Sequence, residues 1–297
     1  MALNLTGLPD YVSQKSQEFV KDAVLGAQTI KLLQSAGSVQ FGIKSKAAIN
    51  TLSVGVNVQS DLDCSRNPIG DTTIGQAIIE VHPLKDEQNY CPKKYENKWT
   101  GEYLTKGSVY TELLFAQDFM AARAEKIAEF NENHIWQGDV ASTGSTYNKY
   151  DGFIKLIKAS SAKSITASGA TVDAKLQDAF LKAPIVTTSS PDVKMFVGMD
   201  TYNAYLAAVN NKNYFQSVED KTVRGTTIKL EPLAGLNGTG FVLIATPDML
   251  VYGTDMLGEE ESATMEYSIE TKQIYVDFHW KSGVQIVKAS QMAYAQL

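Results

Sequence analysis

The strongest constraint in this sequence is a single long amphipathic run, Ser108 to His134. Leu113, Met120, Ile127 and His134 fall at seven-residue intervals, Ala116, Ala124 and Phe130 lie between them on the same side, and Phe115 and Phe119 widen the stripe. That spacing predicts a helix with one buried face. At about 1.5 Å per residue it is a rod of roughly 40 Å, longer than a small domain is wide. Ser108 suits the N-cap, Glu112 suits the positive helix end, and Gly138 and Asp139 supply the stop. The chain has 297 residues, enough for one large domain or two ordinary ones. The other elements must be arranged around this rod.

The second constraint is a pair of extended runs. Val39, Phe41 and Ile43 alternate with polar or small residues, and so do Leu52, Val54, Val56 and Val58. Period two marks a strand with one buried face. A second strand-like run covers Thr72 to Leu84, and the intervening SDLDCSRNPIGD, 60–71, is dense in turn formers. Together they predict a long hairpin. Little helix lies near it in sequence, and an isolated two-stranded hairpin is marginal in water. Its apolar faces are therefore expected to be covered by another chain, and residues 52–83 are expected to be dispensable for the subunit's own fold.

Before the hairpin, Pro9 and Asp10 open a helical stretch whose apolar residues are Tyr11, Val12, Phe19, Val20, Val24, Ile30 and Leu33, broken at Gly26. It packs either on its own domain or, as an arm, on a neighbouring chain; the residues alone favour the first. Residues 85–107 are polar and read as a loop with short helical turns. The glycine-punctuated 136–157 leads into FIKLI, expected as a strand. In the second half the pattern predicts a helix at 173–182, a buried strand at 193–199, and a helix at 201–210 started by Asp200. Strands are predicted at 226–233 and 240–245, the latter central in a sheet because it is almost wholly apolar. A further short element is expected at 249–252. Three extended runs close the chain (264–270, 273–280 and 283–289), with tight turns expected at Thr271–Lys272 and Ser282–Gly283.

Chemistry is harder to find. Three histidines, His82, His134 and His279, are scattered, and the two cysteines, Cys64 and Cys91, form neither a disulfide framework nor a close metal-binding pair. GxSxG, HExxH, GxGxxG and GxxxxGK[ST] are absent. Glu259–Glu261 and the pairs Asp61/Asp63 and Asp86/Glu87 fit solvated loops. No catalytic residue, cofactor site or metal site is assigned. The net charge of −6 argues against tight binding to nucleic acid phosphates. No apolar run approaches the roughly 18 residues of a membrane helix, and MALNLTGLPDYVSQKS does not open like a secretory signal.

The order of elements, and several phrases within it, resemble the major capsid proteins of tailed bacteriophages with the HK97-type fold. VYTELLFAQDFMAARAEKIAEFNENHIWQGD is similar to the spine helix and its following loop, and DGFIKLI to the strand after it. DVKMFVGMDTYNAYLAAV resembles a strand–helix pair of the axial domain. FVLIATPDMLVYGTDM and IYVDFHWKSGVQIV resemble strands returning to the peripheral domain. The resemblance spans nearly the whole chain and implies an α+β HK97-like capsid fold. Residues 1–50 would be an N-terminal arm packed in an inter-subunit groove, 51–88 an extended β-hairpin loop, 89–155 with 248–297 a peripheral domain, and 156–247 an axial α/β domain. It implies a non-enzymatic shell subunit, located in the virion capsid and assembled in the host bacterial cytoplasm. Its partners would be itself in hexamers and pentamers, with portal, scaffolding or decoration proteins; packaged double-stranded DNA would be enclosed without specific binding, and no membrane is involved. Any scaffold is expected to be a separate protein or absent. Two other readings compete: an encapsulin-like nanocompartment shell, and a small α/β enzyme with a pocket between subdomains.

Overall fold

The computed structural model describes residues 8–59, 69–91, 112–143, 146–212, 221–256 and 262–297, and side chains within these except 8–14, Ser53 and 112–117. The expected cap at Ser108, the stripe positions Leu113, Phe115 and Ala116, the loop at 92–107 and the acidic run Glu259–Glu261 lie outside the described residues or side chains.

The rod is present as α3, Glu112–Gln137, following α1, Leu8–Leu25, and α2, Gln28–Ser35. Met120, Ala124, Ile127 and His134 are buried along one face, as the seven-residue spacing requires. Phe19, Val20, Val24, Ile30 and Leu33 of α1 and α2 are buried in the same core as Met120 and Ile127. The N-terminal helices therefore pack on their own subunit, as the residues alone favoured. The break falls at Gly26, where α1 gives way to α2.

Two five-stranded sheets flank the rod. The first contains β1, Val39–Gln40, β4, His82–Tyr90, β9, Leu250–Gly253, β10, Ser262–Ser268, and β11, Gln273–Ile286. Strand β11 organises it. Its first part pairs antiparallel with β10 on one side and β4 on the other, and its last part pairs with β9. Ile274, Val276, Phe278 and Trp280 alternate inward.

Three expectations are corrected here. First, 85–90 is strand rather than loop. Its polar composition, KDEQNY, concealed it, but β4 is an edge strand with only Leu84 and Tyr90 fully buried, and polar residues suit an exposed edge. Second, no turn occurs at Ser282–Gly283, and β11 runs straight through. A Cβ on Gly283 would lie 2.0 Å from the Glu80 carbonyl oxygen, so this glycine marks a close backbone approach. Third, FIKLI is helical, α4, Phe153–Ala159. Phe153 and Ile157, one turn apart, are buried, while Lys155 turns outward to Asp139 and Asp151, each at 2.7 Å. Short apolar runs do not distinguish helix from strand by pattern.

The second sheet has the order β5-β12-β8-β6-β7, from β5, Lys163–Ile165, β6, Lys194–Gly198, β7, Lys229–Leu233, β8, Phe241–Ala245, and β12, Ala293–Gln296. The helices here are α5, Val172–Lys182, α6, Ile185–Thr188, and α7, Met199–Asn211. Strand β8 is central, as its composition requires, because both its faces are covered. Phe241, Leu243 and Ala245 join the core of the rod. Val242 and Ile244 join a second core with Leu176, Met195, Tyr205 and Leu230. Asp200 lies in the first turn of α7, where its carboxylate accepts the Thr201 and Gly238 amides at 2.7 and 2.9 Å.

Alanine at Met120 or Ile127 is expected to cost about 2–5 kcal/mol of unfolding free energy, because either change opens a cavity in the core around α3. Denaturant titration of the purified subunit measures it. Aspartate tolerated at both positions would contradict the assignment of this face.

Candidate assembly surface

The predicted hairpin is a separate two-stranded sheet of β2, Lys46–Val54, and β3, Thr72–Glu80. At about 3.3 Å per residue it extends roughly 30 Å. Its register places Ala47 opposite Ile79, Ala48 opposite Ile78, Ile49 opposite Ala77, Leu52 opposite Ile74 and Val54 opposite Thr72. Side chains alternate between faces, so these pairs sort into two surfaces of different fate.

The inner surface is rooted in the body. Ile79 and Val81 are buried, and together with Ile43, Val251 and Val287 they form a small core against which Ala47, Ile49 and Ala77 pack. This seat exists because Gly253 and Gly283 stand opposite each other in β9 and β11. A Cβ on Gly253 would lie 2.8 Å from Ile79 Cδ1 and 2.9 Å from Ile43 Cδ1. The Val81 amide donates to the Ser45 carbonyl at 2.9 Å, and Gln285 Nε2 donates to the Ile78 carbonyl at 2.6 Å. Residues 77–83 therefore belong to the subunit's own core and sheet, and excising all of 52–83 would remove part of it. That corrects the expectation of a wholly dispensable hairpin.

The outer surface has no such cover. Leu52 is 63% exposed, Ile74 75%, Val54 56% and Ile78 55%. Across this face Lys46 pairs with Glu80 at 3.0 Å near the root, and Gln76 Nε2 donates to Asn50 Oδ1 at 3.2 Å midway. Between and beyond these polar pairs the surface is aliphatic. Val56 and Val58, past the end of β2, are more exposed still. Solvent-facing strands usually place polar side chains outward, and an exposed aliphatic patch such as Leu52, Val54 and Ile74 marks a contact surface.

The three histidines take up no catalytic arrangement. His279 lies in β11, paired with Ser262 and with Lys85 in the ladders. His82 stacks on Tyr150, ring centroids 6.2 Å apart. His134 is buried, edge-on to Tyr150 at 4.0 Å and beside Phe130 and Tyr147. Its Nε2 accepts the Lys149 amide at 3.3 Å. Burial lowers its pKa to about 4, so the imidazole is neutral at pH 7. The Tyr150 and Ser282 hydroxyls bond to each other at 2.9 Å, and burial pushes the phenol well above its usual range. His82 stands opposite Ser282 in the ladder, but the Ser282 hydroxyl bonds to the phenol, and the pair ties the loop after α3 to β11.

Two buried charged sites were not singled out from sequence. Glu132 on α3 accepts the Thr29 amide at 2.7 Å and the Thr29 hydroxyl at 2.6 Å, so it caps the start of α2. Trp136 Nε1 donates to the same hydroxyl at 2.8 Å. Burial raises the Glu132 carboxyl, and the hydrogen bonds from Thr29, Gly235 and Gln28 partly oppose that rise. Asp255, 1% exposed, pairs with Lys281 at 3.2 Å beside the hairpin root. Neither stands out in the sequence, since Glu132 sits between Asn131 and Asn133 on the helix and Asp255 follows Thr254 beyond the end of β9. Among the described residues no group of three or more His, Cys, Asp or Glu is placed to hold a metal ion, and no helix is long and apolar enough to cross a membrane.

No family model matches the sequence, and no curated protein matches it. Solved structures do. The procapsid of satellite phage P4 with its size-determination protein matches with a TM-score of 0.65 at 10% identity, over 94% of this chain and 90% of that one. The capsid of an empty GTA particle matches with a TM-score of 0.58 at 10% identity, over 93% and 90%. A virus-like particle from Pyrococcus furiosus matches at 0.54 and 12% identity, over 96% and 99%. The α+β HK97-like capsid fold is therefore the fold of this chain.

Burial of His134 gives a pH signature. The unfolded imidazole takes a proton near 6.5 and the folded one only near 4, so stability falls as pH drops through that window. The loss is at most about 3 kcal/mol. Glu132 acts in the opposite sense, since its raised carboxyl favours the folded state as pH falls. The diagnostic quantity is thus the difference between wild type and His134→Gln, followed by denaturant titration from pH 7 to pH 4. The wild type should lose stability relative to the variant; parallel curves would contradict the buried neutral imidazole.

Proposed function

We propose that this chain is the repeating structural subunit of a tailed-bacteriophage capsid shell, enclosing packaged double-stranded DNA. The observation that carries the reading is the unpartnered aliphatic face of the hairpin, on a chain that matches the P4 procapsid structure over 94% of its length. A neighbouring copy covers that face. Each Leu, Ile or Val side chain fully buried there contributes about 1.5–3 kcal/mol, repeated at every equivalent contact of a closed symmetric assembly.

On this reading residues 1–50 are the N-terminal arm and 51–88 the extended loop, with β2 already beginning at Lys46 and β4 joining the sheet of the body from His82. The peripheral domain is 89–155 with 248–297, and the axial domain is 156–247, whose sheet is completed by the C-terminal β12. The subunits form hexamers and pentamers in the virion capsid and assemble in the host bacterial cytoplasm, with portal, scaffolding or decoration proteins as further partners. The role is structural and not enzymatic. DNA is contained without specific binding, in keeping with the net charge of −6. The nanocompartment reading shares the fold. The phage reading is supported by the match to the P4 procapsid at a TM-score of 0.65.

The test places charge on the outer hairpin face. Purified wild-type protein should form shells or capsomers visible by negative-stain microscopy. Leu52→Asp with Ile74→Asp should keep the wild-type circular dichroism spectrum and thermal midpoint, because neither side chain enters the subunit core, yet form no shells. A wild type that stays monomeric at high concentration, or a variant that assembles normally, would contradict the proposal.

A further inference from the structure

We infer that Lys281 and Asp255 are positioning residues, a buried ion pair that fixes the direction in which the hairpin leaves the subunit body. The inference uses the shell reading only for its consequence; its primary test is made on the free subunit.

The hairpin meets the body through two strands of chain. One is 41–45, which carries the backbone from β1 into β2, and the other is Val81, between β3 and β4. Apart from Gln285 Nε2 on the Ile78 carbonyl, which grips β3, the contacts described at this root are apolar or between backbones. Ile43, Ile79 and Val81 fill the small core, the Ile43 amide donates to the Thr254 carbonyl at 3.2 Å, and the Val81 amide donates to the Ser45 carbonyl. Apolar contacts hold a strand down without fixing its angle, because the hydrophobic effect is non-directional.

Lys281 differs. Its ammonium donates to Asp255 Oδ2 at 3.2 Å and also to the Lys44 carbonyl at 3.0 Å. Asp255 follows β9 and belongs to the body, whereas Lys44 belongs to the strand entering the hairpin. One charged group thus grips both sides of the joint. The Lys281 side chain is 12% exposed and that of Asp255 1%. Asp255 Oδ1 has no hydrogen-bond partner among the described residues.

A buried pair with one carboxylate oxygen unsatisfied is a poor source of stability, since desolvating both charges offsets their attraction. An apolar pair of similar volume would hold β9 and β11 together as well. It could not hold the Lys44 carbonyl. The contribution particular to the ion pair is therefore orientation. A shell that closes needs each outer face presented at one angle, since a spread of angles gives open or irregular assemblies.

The experiment measures that angle's spread. In a Cys64→Ser, Cys91→Ser background, spin labels are placed at Thr72→Cys on the hairpin and Glu125→Cys on the outer side of α3, both exposed. Double electron–electron resonance on the free subunit then gives the distance distribution. The pair intact, it should be narrow. Lys281→Met with Asp255→Leu removes both charges and leaves neither buried alone, so the subunit should fold, with the distribution about twice as wide. Lys281→Arg should stay narrow. A double variant as narrow as wild type, or a wild type already broad, would overturn the inference. Should the double variant not fold, hydrogen exchange on the wild-type subunit decides. The Ile43 and Val81 amides must exchange as slowly as those of β9 and β11, and fast exchange at either overturns it. Microscopy separates the two readings. If wild type forms no shells while the distances behave as stated, the shell function fails and the positioning role stands.

Discussion

The structure depends on β11 and on the narrow slot that Gly283 leaves against Glu80. A 14-residue strand is long enough to serve two neighbourhoods at once. Its first part is flanked by β10 and β4 and lines the core beneath α1 and α3; its last part pairs with β9 and carries the hairpin root. A side chain at 283 would drive the Glu80 backbone away and lift Ile79 from its pocket. Strands β4, β9, β10 and β11 thus share one backbone ladder, on which the rod packs through side chains and the hairpin is seated through the small core and the Gln285–Ile78 bond.

From that connection comes the asymmetry of the hairpin. Its inner side chains are short or seated, Ala47, Ile49, Ala77 and Ile79, and spend their apolar surface inside the subunit. Its outer side chains Leu52, Val54, Ile74 and Ile78 are equally apolar and meet water. In a free monomer that arrangement is an aggregation liability, since exposed strand edges and aliphatic faces invite association. On the proposed shell reading the same surface is what a neighbouring copy covers, and its burial contributes to closure.

Much of this was legible in the sequence where one chain segment carries its own pattern. The seven-residue spacing of Met120, Ile127 and His134 announces the rod, and the alternation in 52–58 announces a strand with an apolar face. The wholly apolar FVLIA announces a strand covered on both sides. What stayed hidden depends on partners distant in the chain. KDEQNY is a strand only because β11 lies beside it, nearly 190 residues later. Gly283 resembles a turn residue until Glu80 is seen against it. FIKLI is too short for its period to show. The exposed face of the candidate site was readable, but its mount was not, since Asp255 and Lys281 acquire meaning only once the Lys44 carbonyl is seen on the same ammonium.

The central claim is that the outer hairpin face is covered by a second copy of this chain. Cryo-electron microscopy of particles assembled from the purified protein tests it most directly. The account predicts density of a neighbouring subunit packed against Leu52, Val54, Ile74 and Ile78 at every equivalent position. Closed particles in which these side chains face solvent would contradict it.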